Sequence, residues 1–121
     1  MENKSLFNWV VRNNFPDADF WLINKGDTNI GKPVKEFQPF LTGIQCPAKI
    51  LPDYGFYLCV HFYNTGIWHQ RAIGSTNFKN LRISDIRNFF NQLSRQHRES
   101  SRYVQINKTN RKSINDTFID Y

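Results

Sequence analysis

Gly26-Asp27-Thr28-Asn29-Ile30-Gly31-Lys32-Pro33 sets two glycines and a lysine at the spacing of a phosphate-binding P-loop. In that loop the lysine is followed by Ser or Thr, whose hydroxyl reaches magnesium, and a helix begins at once so that its amides cradle phosphate. Here Pro33 takes the hydroxyl position, and Val34 to Pro39 leaves no room for a useful helix. Nucleotide hydrolysis is therefore disfavoured. The segment reads as a hairpin or Ω-type loop carrying Lys25, Lys32 and Lys35. The other reactive residues are equally unpromising. His61, His69 and His97 form no His-x3-His pair, and no Cys-x2-Cys is present, so no metal site is expected. His61 reads as a core residue on an apolar helix face. Cys46 and Cys59 lie in apolar runs and read as reduced, buried thiols. Cys59 and His61 are too close in sequence to share one face of a helix. The carboxylates are scattered, and Ser75 lacks a Gly-x-Ser-x-Gly setting. A non-catalytic protein without a cofactor is the expectation.

The most informative segment runs from Ala72 to Arg87. Gly74-Ser75-Thr76 offers backbone amides and two hydroxyls, with Arg71, Asn77, Lys79 and Arg82 close by. Such a turn suits an anionic partner, most plausibly a phosphate backbone. Phe78 sits within this polar stretch and reads as an anchor for the turn. Charge points the same way. The net charge is +6. Residues 1–68 hold six Lys/Arg against six Asp/Glu, and residues 69–121 hold ten against four, so the whole excess follows Trp68. A basic half beside a neutral, aromatic half suggests a directed cationic face.

At 121 residues, with 40% hydrophobic and 16% aromatic side chains, the chain suits one packed domain. Residues 95–121 read as a partly ordered basic extension. No run of about 18 apolar residues exists, and the N-terminus lacks a signal-peptide pattern, which favours a cytoplasmic protein without a membrane span.

The elements that must position these residues follow from periodicity. Ser5 to Asn14 predicts a helix, with Leu6, Phe7, Val10 and Val11 on one stripe. Phe20 to Ile23 predicts a buried strand, and Phe40 to Cys46 a second one. Lys25-Gly26-Asp27 predicts a turn. Pro52 opens a helix with Tyr54, Tyr57, Leu58, His61 and Phe62 on its apolar face, and Thr65-Gly66 closes it. Trp68 to Ile73 fits either a short helix or a strand. Leu81-Arg82-Ile83 predicts a strand, after which Ser84 caps a helix with Ile86, Phe89, Phe90 and Leu93 at i, i+3, i+4 and i+7. Arg95 to Arg102 reads as a fraying end, and Tyr103 to Asn107 alternates like a strand. The fold class is α+β, a small, mostly antiparallel sheet flanked by about three short helices.

The order of features from Leu51 resembles the distal half of a target recognition domain in type I restriction–modification specificity subunits. Leu51-Pro52-Asp53-Tyr54-Gly55-Phe56-Tyr57 matches that family's Pro-x-Tyr-Leu-Tyr-Tyr helix. Gly66-Ile67-Trp68-His69-Gln70 matches its short second helix. Ala72-Ile73-Gly74-Ser75-Thr76 matches its turn, and Leu81-Arg82-Ile83-Ser84-Asp85-Ile86-Arg87-Asn88 its strand-to-helix junction. The match covers roughly residues 40–90. The family's Pro-rich segment before its long spacer helix is replaced here by Phe89-Phe90-Asn91-Gln92-Leu93-Ser94. The resemblance implies a lone, non-catalytic module that binds double-stranded DNA, with a methyltransferase or restriction subunit as a further partner. It implies that Ser75, Thr76, Asn77, Lys79 and Arg82, flanked by Arg71, hold the backbone. Base reading would fall to Lys25, Asn29 and Lys32 in the early loop. The alternative is a protein-interaction module of phage or mobile-element origin that binds a host complex instead of DNA.

Overall fold

The structure is a computed structural model that describes residues 5–74 and 78–110, with side chains placed through Ser100 apart from residues 75–77. Four strands form the first sheet: β1 (Val10–Asn13), β2 (Phe20–Leu22), β4 (Pro33–Val34) and β5 (Thr42–Gln45). Their order is β1-β5-β2-β4, with every pair antiparallel. β3 (Lys25–Gly26), β6 (Ile73–Gly74) and β7 (Lys79–Asn80) form a second antiparallel sheet, ordered β3-β7-β6. Three helices complete the fold: α1 (Pro52–Thr65), α2 (Ile67–Arg71) and α3 (Ile83–Asn110). The α+β class with small antiparallel sheets and three helices is as the sequence predicts.

The predicted helix over 5–14 is instead an extended segment ending in β1. Trp9 and Val11 are buried while Arg12 is exposed, a period of two that the apolar stripe had masked. Ala48 N–H bonds to Ser5 O at 2.8 Å, and Val10 to Asn13 pair with Gln45 to Thr42, so sheet partners outbid the helix. β1 is an edge strand, and the Arg87 side chain covers it by donating from Nε to Val11 O at 3.0 Å.

β2 is buried along its whole length, as expected of a central strand. α1 begins with Pro at its first turn and closes at Gly66 in the left-handed conformation. Its inner face differs from the predicted one. Gly55 and Cys59 are buried and Phe62 packs beside them, whereas Tyr54, Tyr57 and His61 are exposed. A Cβ on Gly55 would lie 2.4 Å from Cys46 Sγ, so the helix presses its glycine onto β5 and turns the tyrosines outward.

Trp68, on the short helix α2, is 1% exposed and packs on Phe89 (4.8 Å) and Phe90 (6.3 Å) of α3. α3 starts one residue before the predicted cap. Asp85 and Ile86 donate to Arg82 O at 3.0 and 3.2 Å, which puts Ser84 inside the first turn. The predicted strand around Leu81-Arg82-Ile83 is therefore confined to Lys79–Asn80. The predicted fraying end at 95–102 and strand at 103–107 are both part of α3. Once the Ile86–Leu93 stripe nucleates the helix, each added residue costs little.

The P-loop reading also resolves here. Lys32 is followed by β4, not by a helix, and Ile23 N–H bonds to Lys32 O at 3.1 Å across a hairpin. Gly31 has φ +84°, and a Cβ there would lie 2.0 Å from Trp68 Cδ1. Packing against Trp68 requires a glycine there. Gly31→Ala is expected to lower stability by about 2–4 kcal/mol, read as a drop in denaturation midpoint, because it adds backbone strain to overpacking.

Burial pushes the His97 imidazole below its ordinary value of 6.5, and the charge of Lys49 acts the same way. The unfolded chain thus takes up this proton first. His97 costs no stability above pH 6.5 and destabilises the fold as pH falls below it. His97→Gln is expected to flatten the fall in melting temperature between about pH 7 and 5 relative to the unsubstituted protein.

Candidate functional site

The second sheet brings together two parts of the chain that carry the predicted cations. Lys25 pairs with Asn80 and Gly26 with Lys79, and Leu81 N–H donates to Asn24 O at 2.8 Å. The ladder sets the early loop beside the strand that leads into α3. A groove of about 490 Å³ lies along this seam, lined chiefly by Asn13, Asn24, Lys25, Phe40, Asn80 and Arg82.

One wall of the groove is a hydrogen-bonded chain. Asn24 Nδ2 donates to Phe40 O at 3.1 Å and to Thr42 Oγ1 at 2.9 Å. Thr42, buried at the end of β5, donates from Oγ1 to Asn13 Oδ1 at 3.0 Å. β1, β5 and the segment before β3 are thereby locked at the groove. At the other wall, Arg82 meets the Asp85 carboxylate through Nε (2.9 Å) and Nη2 (3.2 Å). Its side chain is still 54% exposed. The hydrogen bond to Asp85 and then its charge hold the guanidinium protonated even more firmly than usual.

The predicted site residues separate into four groups. Lys25 and Arg82 line the groove together. Lys79 precedes Asn80 on β7, so strand alternation turns it to the opposite face of the ribbon. Arg71, Asn29 and Lys32 are not among the residues lining the groove. The Arg71 guanidinium lies 5.1 Å above the Phe89 ring, a cation–π contact that employs it in packing. Asn29 folds back over β3, its Oδ1 2.5 Å from where a Cβ on Gly26 would be. Ser75, Thr76 and Asn77 lie outside the described residues. Gly74 pairs with Lys79. Gly74, at φ +125°, leaves no space for a Cβ against Phe78 O. Phe78 is exposed.

Asn13, Asn24, Phe40 and Asn80 were missed from the sequence. Each sits at the end of a strand or in a turn, where only the tertiary pairing shows that they converge. Pro39-Phe40, an aromatic following a turn-forming proline, was the one available signal.

Among the described residues the groove offers amide donors and two cations. Among the described residues, no three His, Cys, Asp or Glu side chains are grouped to hold a metal ion. Cys46 and Cys59 are buried free thiols, and burial followed by the neighbouring Cys46 pushes the Cys59 thiol far up, away from thiolate chemistry. No helix among the described residues is long and apolar enough to cross a membrane. A second concavity, about 650 Å³, lies between the start of α1 and α3 and is mostly apolar, with Trp9, Leu51, Tyr54, Leu93 and His97 in its walls.

A family model described as "Family of unknown function (DUF6943)" matches residues 9–117. The chain belongs to DUF6943. No curated protein and no solved structure shows significant similarity to it. The DUF6943 match spans both sheets and all three helices, so every residue of the groove falls within the family's shared region.

Thr42→Val keeps the shape of the side chain while removing the hydroxyl that links Asn24 to Asn13. It is expected to cost about 0.5–1.5 kcal/mol in a urea titration, and to loosen the groove wall without altering its charge.

Proposed function

We propose that this DUF6943 protein is a non-catalytic DNA-binding module that resembles a lone target recognition domain and acts in the cytoplasm. The observation that carries the reading is the convergence of Lys25 and Arg82, from opposite halves of the sequence, on one concave surface rich in amide side chains. Cations displace counterions from phosphates, and Asn amides can address both phosphates and base edges. The order of α1, α2, the β6–β7 hairpin and the junction into α3 agrees with the resemblance. The length of α3, 28 residues, supports a methyltransferase or restriction subunit as a further partner, since the specificity subunits follow this junction with a long helix.

The apolar concavity beside α1 favours a second reading, a protein-interaction module. Leu51 at its rim is 76% exposed and Tyr54 is 60% exposed. The readings differ in which face a partner needs.

Fluorescence anisotropy with labelled duplex DNA across a salt series tests the first reading. Affinity is expected to fall steeply with salt. Lys25→Gln combined with Arg82→Gln is expected to weaken binding while the melting temperature holds, with the salt slope falling by about one for the Lys25 contact. Absence of binding to duplex and single-stranded DNA alike at low salt, or affinity flat with salt, would sink the DNA reading and leave the apolar face as the site of function.

A further inference from the structure

We infer that the groove's ligand is single-stranded DNA, held with a phosphate between Lys25 and Arg82 and an unpaired base stacked on Phe40. The inference rests on the DNA-binding reading and names the form of DNA that the site accepts.

Phe40 is 68% exposed, yet its backbone is fixed on both sides. Leu41 N–H closes a turn onto Gln38 O at 3.0 Å, with Pro39 inside that turn. Asn24 Nδ2 holds the Phe40 carbonyl. A large apolar ring is thus presented to solvent from a rigid base, where stacking a planar ligand costs little ordering entropy.

Phe40 borders two hollows. One is the groove with Lys25 and Arg82. The other is a hollow of about 350 Å³, with Ile23 and Val34 as apolar walls and Glu36 and Gln38 as polar ones. Asn24, Lys25 and Phe40 line both. The groove adds a second cation, Arg82, which with Lys25 suits a phosphate. In the hollow the Glu36 carboxylate offsets Lys25, disfavours a second phosphate and can accept a hydrogen bond from an exocyclic amino group, as on cytosine. Phosphate on one side and base on the other is the repeat of a nucleotide strand, and an aromatic platform beside a cationic track is the means by which proteins hold unpaired strands. In a duplex the base faces are already stacked, so a duplex can reach the cations but leaves Phe40 unused.

The test compares anisotropy of a labelled DNA single strand of mixed sequence with that of the same strand annealed to its complement, using the full chain. The single strand is expected to bind more tightly. Phe40→Ala is expected to weaken single-strand binding by about 10- to 100-fold, and to leave duplex affinity within about twofold. Phe40→Trp is expected to retain binding and to show tryptophan quenching on addition of the single strand. Phe40 is exposed, so melting curves of these variants should match the parent and exclude a folding defect. Equal or tighter duplex binding, insensitive to Phe40→Ala, overturns this inference while the DNA-binding function stands. Failure of both probes to bind at low salt overturns the function itself.

Discussion

The indole of Trp68 lies against the bare backbone of Gly31, and the arrangement of the cationic groove depends on that contact. On its other faces the indole meets Phe89 and Phe90 of α3. One side chain therefore joins the early loop, the short helix and the long helix. Ile30, fully buried next to Gly31, fastens the same loop into the core. With the loop fixed there, β3 at its start lies where β7 can pair with it. Without that closure Lys25 would have no fixed relation to Arg82. A packing constraint far from any polar chemistry thus sets the spacing of the charges.

The two sheets serve different physical ends. The first is a core element, with buried β2 at its centre and α1 and α3 packed against it. The second consists of strands only two residues long, too short to stand alone, and it borrows its order from the elements at its ends. Gly31 holds one end, α2 leads into β6, and α3 begins directly after β7. A small ribbon carried by a rigid body is well suited to displaying polar side chains. It buries little itself and has few packing demands to satisfy.

Much of this was legible in the sequence where a pattern is local. The Pro52 helix, its glycine stop, the Ile86–Leu93 stripe and the buried β2 strand follow from signals within a few residues. The errors fell where a distant partner decides. Val10 and Val11 fit a helical stripe and a strand equally well, and only the pairing with β5 selects between them. Helical periodicity puts Tyr54 and Tyr57 on the inner face with Leu58 and Phe62, whereas Gly55 sets the rotation of α1 by permitting close approach to Cys46. The cations Lys25 and Arg82 were singled out separately, as base reader and backbone clamp. Their proximity is a property of a two-residue ladder with no sequence signature. Arg71 and Asn29 carried suitable chemistry but are taken up by an aromatic ring and a neighbouring strand.

The Arg82–Asp85 ion pair at the start of α3 has a bearing on the character of the groove. A carboxylate bound side-on to a guanidinium presents two oxygens much as a phosphate does. Asp85 therefore holds the fork that a phosphate of the proposed ligand would take, and orders it in advance. An incoming anion would be an exchange partner rather than a new neighbour. Under the proposed function such a site would discriminate by competition: a weakly bound anion would fail to displace the resident carboxylate, while one anchored elsewhere along the groove would gain the arginine at little further ordering.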